Sequence, residues 1–150
     1  MRPYIDQEAQ LGTWAVGPFG NDFAQDWVED LQESRDLYFI EDTLNNVLQA
    51  ETTEYLEAPF GAEALAAVET WSRLQGKGGT RDEDSARVDE WVTEVQAKLS
   101  KPRADIADKA QRVLALVLSE ASELRELWED SEHFEDWRTT VTDLQRRLSA

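Results

Sequence analysis

The chain has one histidine, His133, which lies between Glu132 and Phe134 and beside Glu135 and Asp136. Imidazole is the usual general base near neutral pH, but it needs a nucleophile and an orienting partner, and no motif supplies either. The expectation is a solvated histidine at a helix start. Asp130-Ser131-Glu132-His133 has the spacing of the Glu-x-x-His ligand pair of helical di-iron proteins, with Asp for Glu, yet those centres use the motif twice. Zinc draws on several Cys or His ligands, and there is no cysteine, so thiolate ligation, thiol catalysis and disulfides are excluded. A calcium loop begun at Asp82 places Ala86, Arg87 and Thr93 where an oxygen ligand, glycine and glutamate belong. Gly76-Lys77-Gly78 looks like part of a phosphate loop, but Trp71 occupies the first glycine position and no Ser or Thr follows the lysine. Paired carboxylates such as Glu29/Asp30 and Glu129/Asp130 diverge on a helix rather than face one another. The expectation is therefore no catalytic residue, no metal and no cofactor.

Charge is the largest departure from an ordinary composition. Against 15 basic side chains stand 32 acidic ones, a formal net charge of -17. Such a surface repels phosphates, so neither nucleic acid nor an anionic membrane is an expected partner, while a basic protein is. The imbalance is uneven: residues 1–75 hold 15 acids and 3 bases, residues 76–150 hold 17 and 12. These acids read first as a solvated, soluble surface; the functional reading is an acidic docking face on the N-terminal half. No apolar run approaches a membrane span, and residues 1–11 lack the apolar centre of a signal peptide, so cytoplasmic residence is expected.

These side chains must be positioned by helices. Gly12–Gly20 (GTWAVGPFG) contains three glycines and a proline and reads as a structured turn after an N-terminal arm, 1–11. Asn21 or Asp22 offers an N-cap, followed at helical spacing by Phe23, Trp27, Val28 and Leu31. A second helix is predicted over about Asp36–Ala50, broken by Thr52–Pro59, and a third over Ala62–Leu74, ended by Gly76. Gly76–Ser85 reads as a mobile polar loop. Val88, Trp91, Val92, Val95 and Leu99 mark a fourth helix, closed by Ser100-Lys101-Pro102. Ile106, Ala110, Val113, Leu114 and Val117 mark the most apolar helix, expected at the centre. Ser122–Glu129 forms a short one, and Phe134, Trp137, Val141, Leu144 and Leu148 line a last of about four turns, suited to internal packing. No segment alternates as a strand. The predicted fold is all-α: a compact single-domain bundle or array of six to seven helices, residues 12–150, with a Gly/Pro-containing N-terminal turn.

Trp27, Trp71, Trp91, Trp128 and Trp137 fall on or near apolar stripes and are expected in the core. Trp14 and Phe19 stand in the turn, where they either fold down as a lid on the bundle, the expectation here, or present an aromatic patch.

Gly12-Thr13-Trp14, Gly17-Pro18-Phe19, Asn21-Asp22 and Asp26-Trp27 together resemble the opening of a bacterial family, the domain of unknown function numbered 4259. Tyr55-Leu-Glu-Ala-Pro59, Ser122-Glu-Leu-Arg-Glu-Leu-Trp128-Glu129 and the Trp137…Leu144 helix resemble its later motifs. Ala15 stands where the family tends to have glycine, and residues 1–11 precede the start of many members. The resemblance implies a compact helical domain of bacterial or phage-related origin, with Gly12, Trp14, Gly17, Pro18, Phe19, Asn21 and Asp22 as signature residues, structural before partner-binding. It implies no activity. The functional expectation is a non-enzymatic protein-binding domain, such as an immunity-type or inhibitor protein against a basic partner. Alternatives are a DNA mimic of the anti-restriction type, a structural or homo-oligomeric helical domain, and, least favoured, a carboxylate or metal-dependent hydrolase. Monomer and homodimer both stay open.

Overall fold

The structure, a computed structural model, describes residues 14–49, 55–99 and 103–149. Within them the chain forms seven helices: α1 Asp22–Leu31, α2 Tyr38–Gln49, α3 Ala58–Leu74, α4 Ala86–Gln96, α5 Ala104–Val117, α6 Glu123–Glu129 and α7 Phe134–Ser149. The all-α expectation holds. Among the described residues the sole β feature is a parallel bridge between Leu56 and Ser122. Gly12, the 1–11 arm, Thr52 and the Ser100-Lys101-Pro102 junction lie outside the described residues.

Local chemistry sets the helix starts. Asn21 has extended backbone and its Oδ1 accepts from Ala24 N at 2.8 Å, which caps α1. Ser122 Oγ does the same for α6, accepting from Arg125 N at 3.2 Å. α3 begins at Ala58 rather than at the expected Ala62, because Pro59 lies in its first turn. There a missing N–H costs nothing and the fixed φ is already helical. The backbone ahead of α3 is tied to α6: Leu56 N donates to Ala121 O and Glu123 N to Leu56 O, both at 2.8 Å.

The centre of the bundle is α3, not the Ile106–Val117 helix. α3 packs against each of the other six helices. Its residues Gly61, Ala62, Ala64, Ala66 and Ala67 are buried around the whole circumference, and their small size lets neighbouring helices approach on every side. α5 instead buries one stripe, Ile106, Ala110, Val113, Leu114 and Val117, and exposes Asp108, Arg112 and Ala115. Large aliphatic side chains thus marked a one-sided helix, and alanines marked the all-round one. All six tryptophans are buried, Trp14 (8% exposed) and Phe19 (3%) among them, so the turn does close over the bundle. Trp14 meets Phe23 edge-on at 5.8 Å and Trp128 at 6.4 Å. In α7, Trp137, Val141 and Leu144 are buried and Phe134 and Leu148 pack against the same core.

Candidate functional site: an acidic face and a buried charge network

α1 exposes Asp22, Asp26, Glu29 and Asp30, and Glu33 follows just beyond its end. Asp22 favours the helix, since it lies in the first turn. Glu29 and Asp30 oppose the helix dipole because they sit at its negative C-terminal end, and the last turn holds no base to offset them. Asp22, Asp26 and Asp30 are also spaced i, i+4, i+8, so each neighbouring pair repels. Asp26 and Asp30 face Glu63 of α3. Burial, then Asp30 and then Asp26 raise the Glu63 carboxyl above the usual carboxylate range. None of these three makes an ion pair with a described residue. Phe60, one turn before Glu63 on α3, is 46% exposed.

Ion pairs take up many of the charges of the second half of the chain. Arg138 binds Glu135 at 2.8 Å, Arg146 pairs with Asp143, and Arg125 lies 3.4 Å from Glu129. Glu41 accepts from Lys109 at 2.9 Å and from Arg103; the Lys109 hydrogen bond, against burial, holds its carboxyl below the usual range. Arg103 also holds Asp105, chiefly by hydrogen bonding, down to about 2.

Beneath the glycine loop lies a network that no sequence motif announced. Glu69, 1% exposed near the end of α3, accepts from Arg147 Nη2 at 2.8 Å and from Gly79 N at 2.9 Å. Arg73 Nε stands 3.1 Å from Glu69 Oε2, an ion pair without hydrogen-bond alignment. Arg73 Nη1 donates to Asp89 at 2.7 Å, Nη2 donates to Thr80 O, and its guanidinium lies 5.5 Å over the Phe19 ring. Arg147 donates to Lys77 O at 2.6 Å, Ser72 Oγ at 3.2 Å and Asp143 at 2.9 Å. Burial pulls its guanidinium down, but Glu69 and Asp143 together outweigh it and the net shift is upward. Asp143 is lowered, first by the Arg147 hydrogen bond. Three backbone groups of the 76–85 loop, at Lys77, Gly79 and Thr80, therefore end on charges in α3 and α7. A Cβ at Gly78 would lie 2.5 Å from Arg73 Cγ, so glycine there admits the arginine.

Above this network opens a cleft of about 720 Å³ between the Ala15–Gly20 turn, the loop and α7. Of the predicted signature residues, Gly17 and Pro18 line it, Phe19 forms part of its floor, and Trp14 is inside the core, its indole N–H without a partner among the described residues. Asn21 serves as a cap and Asp22 belongs to the acidic face. His133 is exposed, 4.0 Å from Asp136. Among the described residues no three His, Cys, Asp or Glu are grouped to hold a metal, and no helix is long and apolar enough to cross a membrane. Glu69, Arg73 and Arg147 were missed. Their one sequence signal was an i, i+4 acid–base pair inside the alanine-rich helix.

The model of a family described as a domain of unknown function, DUF4259, matches residues 12–140. The chain belongs to this family. No curated protein and no solved structure matches it. In this member of DUF4259, the turn near the start of the family match closes over the bundle and sets the Phe19 ring against Arg73 of the charge network.

Proposed function

We propose that this DUF4259 protein is a non-enzymatic binding domain that takes a basic protein on the α1–α3 acidic face, as an inhibitor or immunity-type protein would. The observation that carries this reading is the row Asp22, Asp26, Asp30 with Glu63, whose carboxylates are paired with no described cation. Like charges one turn apart along a helix repel, and Asp30 in the last turn also opposes the helix dipole, so the row weakens the fold. A row kept at that cost is accounted for by a cation supplied from outside. Phe60 adds an exposed aromatic ring beside Glu63 for an apolar side chain of the partner. Phosphate-row mimicry of DNA is less well supported, because the arginines of α7 interrupt its acids with ion pairs.

The test is affinity purification of the tagged chain from its native host at low and moderate salt, beside the double variant Asp26→Lys with Asp30→Lys. One basic protein at near-equal stoichiometry, weakened by salt and lost from the variant, is the expected result. Recovery of nothing, or of the same protein with both baits, refutes the reading.

A further inference from the structure

The cleft has features that the acidic face does not explain. Four of the chain's eleven arginines line it, in a molecule of net charge -17. Arg73 and Arg147 are consumed by the network below. Among the described residues Arg138 and Arg146 pair only with Glu135 and Asp143 at the surface, and exposed ion pairs of this kind exchange readily. Arg138, Thr142 and Arg146 stand at i, i+4 and i+8 along the α7 wall, which separates the two arginines by about 12 Å along the axis. An extended chain covers that length in about four residues, and residues four apart on a strand point to the same side. The opposite wall is apolar, with Val16 and Pro18, and carries Gly17. Gly17 has no left-handed φ, and a Cβ there would meet nothing within 4 Å. Neither conformation nor packing requires this glycine, so its bare backbone is open to a ligand at the cleft mouth. Asp82 and Asp84 line the loop edge and repel an incoming carboxylate from that side, while Asp143, the acid on the α7 wall, is engaged by Arg146 and Arg147.

We propose that this cleft binds an extended peptide segment bearing two acidic side chains four residues apart, with the carboxylates on Arg138 and Arg146 and the backbone passing over Gly17. Planar guanidinium forks match carboxylates in two parallel hydrogen bonds, which a lysine does not reproduce. The volume lies within the roughly 300–1,000 Å³ of ligand pockets.

The experiment is an amide NMR titration of the full chain with acetyl-Glu-Ala-Leu-Ala-Glu-amide and with its Gln-for-Glu counterpart. Saturable shifts at Gly17, Thr80 and Thr142 with the Glu peptide alone are expected. Binding should weaken about tenfold or more in the double variant R138Q/R146Q, and in Gly17→Leu, with the native amide dispersion of each variant retained. Absence of saturable shifts, equal binding of the Gln peptide, or undiminished binding by R138Q/R146Q overturns the proposal. The peptide contrast uses the unaltered protein, so it decides even if a variant misfolds. If inorganic pyrophosphate saturates the same amides and the Glu peptide does not, the peptide proposal falls and the cleft is a phosphate site.

Discussion

Glu69 occupies a position where an apolar residue would ordinarily serve, and it is tolerated because two guanidinium groups and one backbone N–H surround it. Replacing such a pair by apolar groups is often neutral, but removing one partner strands the other charges in the interior. Glu69→Gln should therefore cost about 3 kcal/mol, at the lower end because Arg147 keeps 20% of its side chain in water and retains Asp143. Urea unfolding measures this as a lowered midpoint. Glu63 works with the opposite sign. Its folded carboxyl titrates above its unfolded value, so the native state binds the proton more tightly. Glu63 thus destabilises the fold at pH above its folded pKa, and the penalty disappears as pH falls through that value toward 4.5. Glu63→Gln should raise the melting temperature at pH 7 and lose its advantage near pH 4. A variant that melts at or below the parent temperature at pH 7 contradicts this account.

At the scale of elements, the end of α3 decides where the loop goes. Gly76, at φ 76°, donates to Arg73 O, and Lys77 N donates to Ser72 O at 2.9 Å, the paired bonds of a glycine-terminated helix. This turn presents the Lys77 carbonyl to Arg147. Gly76→Ala should cost about 1 kcal/mol through its left-handed backbone, whereas Gly17→Ala should leave the melting temperature unchanged. Thermal melts of the two variants check the contrast. The cap of α6 offers a parallel case: Ser122→Ala should cost about 1 kcal/mol, and full burial of Ser122 gives water no way to replace the lost acceptor. Helix positions were legible because caps, a first-turn proline and a C-terminal glycine act within a few residues. The centrality of α3 was not, because it depends on how many neighbours approach a helix, and alanine carries little of that signal.

For the whole molecule, self-repulsion at net charge -17 sets the response to salt. Raising ionic strength from about 0.01 M to about 0.15 M shortens the screening length from about 30 to about 8 Å, so the melting temperature should rise. A fall would mean that the exposed ion pairs of the second half outweigh the acidic surface. Acid acts through lowered carboxyls: Glu41, Asp105 and Asp143 titrate below their unfolded values, so their contribution is present at neutral pH and is lost as pH falls through the folded values.

The sequence by itself determined the helical class, a count of six to seven helices, the tryptophan core, the capped turn and the excess of acid on the first half, because periodicity, capping and charge are properties of neighbouring residues. Tertiary structure alone decided which acids lack a partner among the described residues. Asp26, Asp30 and Glu63 come together only when α1 lies on α3. It alone placed Arg147 beside Glu69, 78 residues away, and opened a cleft between a turn, a loop and the last helix. Those contacts depend on how helices dock, and no local pattern encodes docking between segments so distant in the chain.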